Sequence, residues 1–234
     1  MIKITPIASG SKGNCYLIDD GQSKLLIDCG IPLSRIQKAL SYQLTDIAGC
    51  LVSHCHLDHS KAVKDMMDMG TEVYMSAGSA DALDIKNHRL IKIKAMQEYY
   101  IGSLKVIPFD VQHDAPEPLG FFLKSVETGE SVLYFTDTFY IKYKFPGINY
   151  LMAECNYSLD SLIASVDNGY IPAAIAPRIV KSHMSIDNLL EMLKANDLSQ
   201  LKQVYLLHLS DNNSDEKSFK EAVQRATGAE VYVC

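Results

Sequence analysis

The run Ser53-His54-Cys55-His56-Leu57-Asp58-His59 constrains this chain more than any other segment. It follows an apolar stretch, residues 47–52, that reads as a buried strand, and it precedes residues 60–69, whose apolar spacing is that of an amphipathic helix. A strand that delivers polar side chains at its C-terminal end, with a helix after it, is how open α/β sheets build sites. Imidazole and carboxylate bind borderline divalent ions such as zinc, and His54, His56, Asp58 and His59 supply four such groups in one short segment. The chain has 7 histidines in all, so this local excess favours a metal site over a polar surface turn.

The rest of the pattern must accommodate that strand end. Residues 2–8, 15–19 and 24–28 read as strands punctuated by glycine turns, which suits antiparallel hairpins, and residues 33–40 have helical spacing. Residues 73–75 return as a strand after the helix stop at Gly70. Strand alternation resumes from Leu90 and runs through residues 104–111, 120–126, 132–136 and 150–153. Helices at 159–166, 186–194 and 216–226 then alternate with strands at 204–207 and 230–233. Two halves, each strand-rich first and mixed later, predict an α/β fold: a four-layer αββα sandwich of two face-to-face mixed sheets with helices outside. No repeat, low-complexity tract or linker divides the 234 residues, which predicts a single domain spanning 1–234.

Bulk properties exclude several classes. No apolar run approaches the ~18 residues of a membrane span, and the first ten residues lack the apolar core of a secretory signal, so a cytoplasmic protein without membrane contact is expected. Cys15, Cys29, Cys50, Cys55, Cys155 and Cys234 show no C-x-x-C spacing and read as reduced, mostly buried thiols; Cys55, between two ligands, is expected to project away from them. A net charge of -6 disfavours nucleic-acid binding by broad electrostatics, but bound divalent ions would create a positive centre locally.

Three more candidate ligands stand at ends of expected strands: His113, Asp137 and His208. With them the sequence resembles the metallo-β-lactamase-fold hydrolases, whose signature is H-x-H-x-D-H followed by separated His, Asp and His. The resemblance covers most of the chain. It implies that His54, His56 and His113 hold one metal, that Asp58, His59 and His208 hold a second, and that Asp137 bridges both. It also implies that Asp28, in Leu-Ile-Asp-Cys-Gly, supports the site from behind. Two divalent ions, zinc with manganese or iron as alternatives, would then share a hydroxide, and Asp58 would help to orient it.

Finer strings narrow the resemblance. Ser9-Gly-Ser-Lys-Gly-Asn14, His113-Asp-Ala-Pro-Glu-Pro-Leu-Gly120, Thr136-Asp-Thr138, Glu154-Cys-Asn156, Ser182-His-Met-Ser185 and His208-Leu-Ser-Asp-Asn-Asn213 resemble, in that order, the YycJ/WalJ-like branch. That branch is related to nucleases of the RNase J and RNase Z type and is described as acting on DNA from the 5′ end. The implied activity is a phosphodiesterase or exonuclease with DNA as partner. The alternative is a small-molecule hydrolase of a thioester, lactone or cyclic nucleotide on the same dinuclear site. Only 45 residues separate Asp137 from His183, too few for an inserted β-CASP domain.

His183 is expected to contact phosphate or protonate the leaving group, against the alternative that it merely packs beside a helix capped by Ser185. Asn14 and Asn156 each have two readings. Both face substrate, or the first serves the glycine turn and the second caps the helix beginning near Ser158. Lys142, Lys144, Arg178 and Lys181 read as a scattered solvated face before they read as a groove for a phosphate backbone.

Overall fold

The computed structural model describes residues 1–210 and 214–234; the Asp211-Asn-Asn213 part of the last string lies outside the described residues. A six-stranded sheet runs in the order β1 (Lys3–Ala8), β2 (Cys15–Asp19), β3 (Lys24–Ile27), β4 (Ile47–Leu51), β5 (Val73–Ser76), β6 (Leu90–Ile93). The helices between these strands are α1 (Leu33–Ala39), α2 (Leu57–Ser60), α3 (Val63–Asp68) and α4 (Ala77–Ala82). A seven-stranded sheet is formed by β7 (Tyr99–Ile101), β8 (Leu104–Asp110), β9 (Leu119–Ser125), β10 (Ser131–Phe135), β11 (Tyr150–Glu154), β12 (Gln203–Leu207) and β13 (Glu230–Val233), in chain order from one edge to the other. Its helices are α5 (Leu159–Asp167), α6 (Ala176–Ser182), α7 (Ile186–Ala195) and α8 (Glu216–Thr227). Both sheets are mixed, as the sequence pattern predicts.

The chain divides into two compact units, residues 1–110 with 115–130, and residues 111–114 with 131–234. In the first, β1, β2 and β3 are antiparallel and β3 through β6 are parallel, so α1 to α4 serve as crossovers. Ile36 and Leu40 of the α1 region and Val63, Met66 and Met67 of α3 recur at helical spacing and bury their stripe with Leu26, Cys50, Val52 and Met75. β7, β8 and β9 form an antiparallel meander in the same unit.

In the second unit β10 to β13 are all parallel. β10 and β11 are buried along their whole length, the continuous burial that parallel strands covered on both faces require. Ser158, Ser185 and Asp215 cap α5, α7 and α8 through their side-chain oxygens, and Gly228, at φ 68°, ends α8 in the left-handed conformation that glycine adopts without strain.

Two helices differ from expectation. The single stretch at 60–69 is instead α2 and α3, broken at Lys61 and Ala62. The Asp58 carbonyl, which a continuous helix would offer to Ala62, accepts the Asn14 backbone N–H at 2.7 Å, and the Ala62 N–H donates to the Cys29 carbonyl instead. α6 lies where no helix is expected, because Ala-Pro-Arg-Ile-Val-Lys-Ser has no amphipathic period to announce it.

Candidate metal centre

In the first unit the segment 53–59 follows β4 and turns into α2, and backbone bonds tie it to Asn14 before β2, to the loop after β3 and to the start of β9. Asn14 N–H donates to the Asp58 carbonyl, Cys29 N–H to the His59 carbonyl at 2.9 Å, and Leu119 N–H to the Ser53 carbonyl at 2.9 Å. The close approach needs Gly30, where a Cβ would fall inside the van der Waals shell of the Asp58 carbonyl and 2.7 Å from His59 N. Asp28, the first residue past β3, is held at φ 57°, a left-handed conformation that costs a non-glycine residue about 1 kcal/mol or more.

That strain aims a buried carboxylate. Asp28 accepts from Ser53 N–H at 2.8 Å and from Ser53 Oγ at 3.0 Å, and it lies 2.7 Å from His59 Nδ1. A carboxylate oxygen only accepts, so Nδ1 carries the hydrogen and Nε2 the lone pair. This is the orientation in which a metal-ligating histidine is ordinarily held from behind. His59 Nε2 lies 3.4 Å from Asp58 Oδ2, and His54 Nε2 lies 3.1 Å from His56 Nδ1. Asn14 is fully buried. Its amide donates to the Gly10 carbonyl at 3.1 Å and lies 3.1 Å from His59 Nε2, while its oxygen accepts from Gly10 N–H and from the Tyr16 hydroxyl. Asn14 thus serves the glycine turn and fixes the His59 ring. Cys55 is absent from the converging donor groups among the described residues, and burial pushes its thiol up.

In the second unit four donors converge: Asp137, Glu154, His183 and His208 each offer an atom within 4.8 Å of the others. Asp137 follows β10 and His208 follows β12, both with left-handed φ, 46° and 53°. Glu154 ends β11, wholly buried, and its appearance among the donors is the residue that sequence reasoning passed over. Its Oε2 accepts from Thr138 N–H at 3.0 Å and Met184 N–H at 3.1 Å, and its Oε1 lies 2.6 Å from His183 Nδ1. Burial alone would raise the Glu154 carboxyl, but the adjoining His183, by charge and hydrogen bond, holds it below its ordinary value.

Burial likewise opposes a charged His183, yet the carboxylates of Glu154 and Asp137 outweigh it and raise this imidazole above its ordinary value. His183 stacks on His208 with centroids 5.6 Å apart and meets His113 edgewise at 5.7 Å. Burial prevails at His113, lowering its pKa despite Asp137, so this ring is kept neutral as a metal ligand must be. His113 Nδ1 lies 3.2 Å from the Ser182 carbonyl, and its Nε2 lies 3.2 Å from Asp114 and 3.6 Å from Asp137. Asn156 donates to the His208 carbonyl at 2.9 Å and its amide lies 3.3 Å from His208 Nδ1, so it braces that ring, while Ser158 caps α5. Ser185 caps α7, and His183, two residues earlier, is turned to Glu154.

Each unit therefore presents imidazoles and carboxylates with paired or convergent donors, the chemistry that zinc, manganese or iron(II) accept. A family model described as the β-lactamase superfamily domain matches residues 23–209, and the chain belongs to that family of metallo-hydrolases. Its fold is that of the metallo-β-lactamase sandwich, which implies divalent metal ions. Among particular proteins, the chain is similar to exodeoxyribonuclease YycJ of Bacillus anthracis, 28% identical over 229 residues that cover 90% of this chain and 83% of that one. It is also similar to exodeoxyribonuclease WalJ of Streptococcus pneumoniae serotype 2, 26% identical over 251 residues covering 99% and 90%. The crystal structure of the metallo-β-lactamase fold protein YhfI from Bacillus subtilis aligns with a TM-score of 0.77 at 18% identity, covering 100% of this chain and 96% of that one. No helix among the described residues is long and apolar enough to cross a membrane.

Proposed function

We propose that the protein is a metal-dependent phosphodiesterase that removes nucleotides from DNA ends. The observation that carries this reading is the His183–Glu154 pair, an imidazole held at 2.6 Å by a wholly buried carboxylate beside Asp137 and His208. A phosphodiester expels an alkoxide that needs a proton, and a histidine whose protonated form is favoured by an adjoining carboxylate is suited to supply one. With Nδ1 engaged by Glu154, the proton leaves from Nε2. The exodeoxyribonucleases to which the chain is similar support DNA as the polymer.

In this reading His54, His56 and His113 would hold one divalent ion and Asp58, His59 and His208 the other, with Asp137 available to both. Zinc suits these donors, with manganese or iron as alternatives. Bound, such a pair supplies a water of lowered pKa and stabilises negative charge on phosphate oxygens. Asp58 contributes a second carboxylate oxygen that orients the attacking water, Asp28 and Asn14 hold the His59 ring, and Asn156 holds that of His208. Asn14 and Asn156 act through those rings rather than on substrate. Residues 1–234 work as one catalytic domain, in a cytoplasm whose reducing conditions suit six cysteines that form no disulfide.

The test is incubation of end-labelled single- and double-stranded DNA with protein of measured metal content, supplied with zinc, manganese or iron. Progressive shortening that chelation abolishes is expected, with Asp58→Asn inactive and His183→Ala slowed about 100-fold or more. A metal-loaded protein that leaves DNA intact, and turns over a thioester or lactone instead, overturns the reading.

A further inference from the structure

Two depressions in the second unit adjoin along α6. The first, about 660 Å³, is lined by Val111, His113, Asp114, Arg178, Lys181 and Ser182, and so begins at a candidate ligand. The second, about 450 Å³, is walled by Leu159, Leu162, Ile163, Val166 and Val180, with Asp167 as its one carboxylate. Pro177 and Lys181 border both, which makes them one continuous path from His113 to an apolar hollow. Leu159, Ile163 and Val180 are 52%, 51% and 40% exposed, and while a scattered apolar residue would need no explanation, three that line one hollow do.

The path matches one kind of molecule. Among the described residues Lys181 makes no ion pair, and Arg178, whose side chain is 70% exposed, pairs only with the exposed Asp114, a surface contact that a phosphate readily replaces. Cations at the rim and aliphatic carbons on the floor complement a nucleotide, which has an anionic backbone and an apolar base face. A duplex keeps its base faces in the stack, so only an unpaired base enters such a hollow. The seven residues of α6 span about 10 Å at 1.5 Å per residue, a reach suited to the last few links of a strand and not to a long track.

We propose that α6 and this hollow bind the single-stranded end of a nucleic acid, its phosphates on Lys181 and Arg178 and an unpaired base against Ile163 and Val180. The inference rests on the nuclease reading and adds to it the form of the substrate. It also prefers, for Lys181 and Arg178, the groove reading over that of a solvated face.

Binding is read by fluorescence anisotropy of a labelled oligothymidylate and a blunt hairpin duplex, with EDTA present so that cleavage plays no part. Wild type is compared with Lys181→Ala and Ile163→Glu, both at surface positions, with circular dichroism confirming the fold. The single strand should bind at least about tenfold more tightly than the duplex. Lys181→Ala should reduce the slope of log affinity against log salt by about 0.7, the loss of one phosphate contact, and Ile163→Glu should weaken single-strand binding about tenfold. Variants that bind as wild type while wild type still cleaves DNA overturn this inference and leave the nuclease reading standing. No binding and no cleavage by wild type overturn both. A dimer seen by sedimentation and dissociated by Ile163→Glu gives the hollow to a second copy, and overturns the inference as well.

Discussion

Gly30 is where one methyl group should cost the most. A Cβ there would overlap the Asp58 carbonyl outright, and even the farthest of the three atoms it meets, His59 N at 2.7 Å, is about 0.8 Å closer than the ~3.5 Å of ordinary contact. These are backbone atoms, so no side chain can swing aside. Gly30→Ala must push the start of α2 away from the loop after β3, and the bonds Asn14 N–H to Asp58, Cys29 N–H to His59 and Gly30 N–H to Asn14 lengthen together. Three buried backbone bonds at about 1 kcal/mol each, with about 1–2 kcal/mol of overpacking, predict a loss of about 4–5 kcal/mol. Gly228→Ala is the control: nothing lies within 4 Å of its Cβ, so only the left-handed φ of 68° is paid, about 1 kcal/mol. Urea denaturation gives both stabilities, and metal analysis of the purified proteins gives the second readout, since Gly30→Ala displaces Asp58 and His59 whereas Gly228→Ala leaves them in place. Equal midpoints for the two variants, or full metal content in Gly30→Ala, would refute the reasoning.

Asp20 accepts from Ser103 Oγ and Ser125 Oγ, both at 2.7 Å, and from Gln22 and Ser23 N–H. Burial opposes its charge, but these bonds lower its pKa below the ordinary value, so its stabilisation is complete above the unfolded pKa of ~3.9 and fades as pH falls through the folded one. Asp20→Asn should melt earlier than wild type at pH 7 and draw closer to it as acid takes the pH below the ordinary carboxylate range and through the folded pKa; parallel curves would contradict this. Asp28→Ala, which frees the His59 ring, should lower metal affinity about 10- to 100-fold in competition with a chelator, and unchanged affinity would remove Asp28 from the site. Glu154→Gln leaves an oxygen for Thr138 and Met184 N–H but no carboxylate for His183, so kcat on DNA should fall about 100-fold with KM little altered; a change confined to KM would point to substrate binding instead.

What could be read from the sequence followed local pattern, and what could not depended on long-range contact. β2 and β13 have their expected bounds because glycine turns and alternation are written within a few residues. His54 through His59 were visible as a group because one turn carries them all. The break between α2 and α3 was not, since it is imposed by Asn14, 44 residues away, taking the Asp58 carbonyl. Glu154 was hidden in plain view: a carboxylate closing the otherwise apolar strand Tyr-Leu-Met-Ala-Glu had to find partners when buried, and that expense was the available signal. The roles of Asn14 and Asn156 likewise required knowing which rings they touch.

Asp28, Asp137 and His208 share a backbone conformation that glycine would adopt at ease. Under the proposed function, the sequence that folds best and the sequence that works best therefore differ at these three strand ends. Selection for stability alone would drift toward glycine, and selection for activity holds the chain at a sequence that is locally suboptimal. The fold as a whole must carry the surplus stability that lets it keep these side chains, which makes its well-packed parallel strands as much a condition of the chemistry as the ligands themselves.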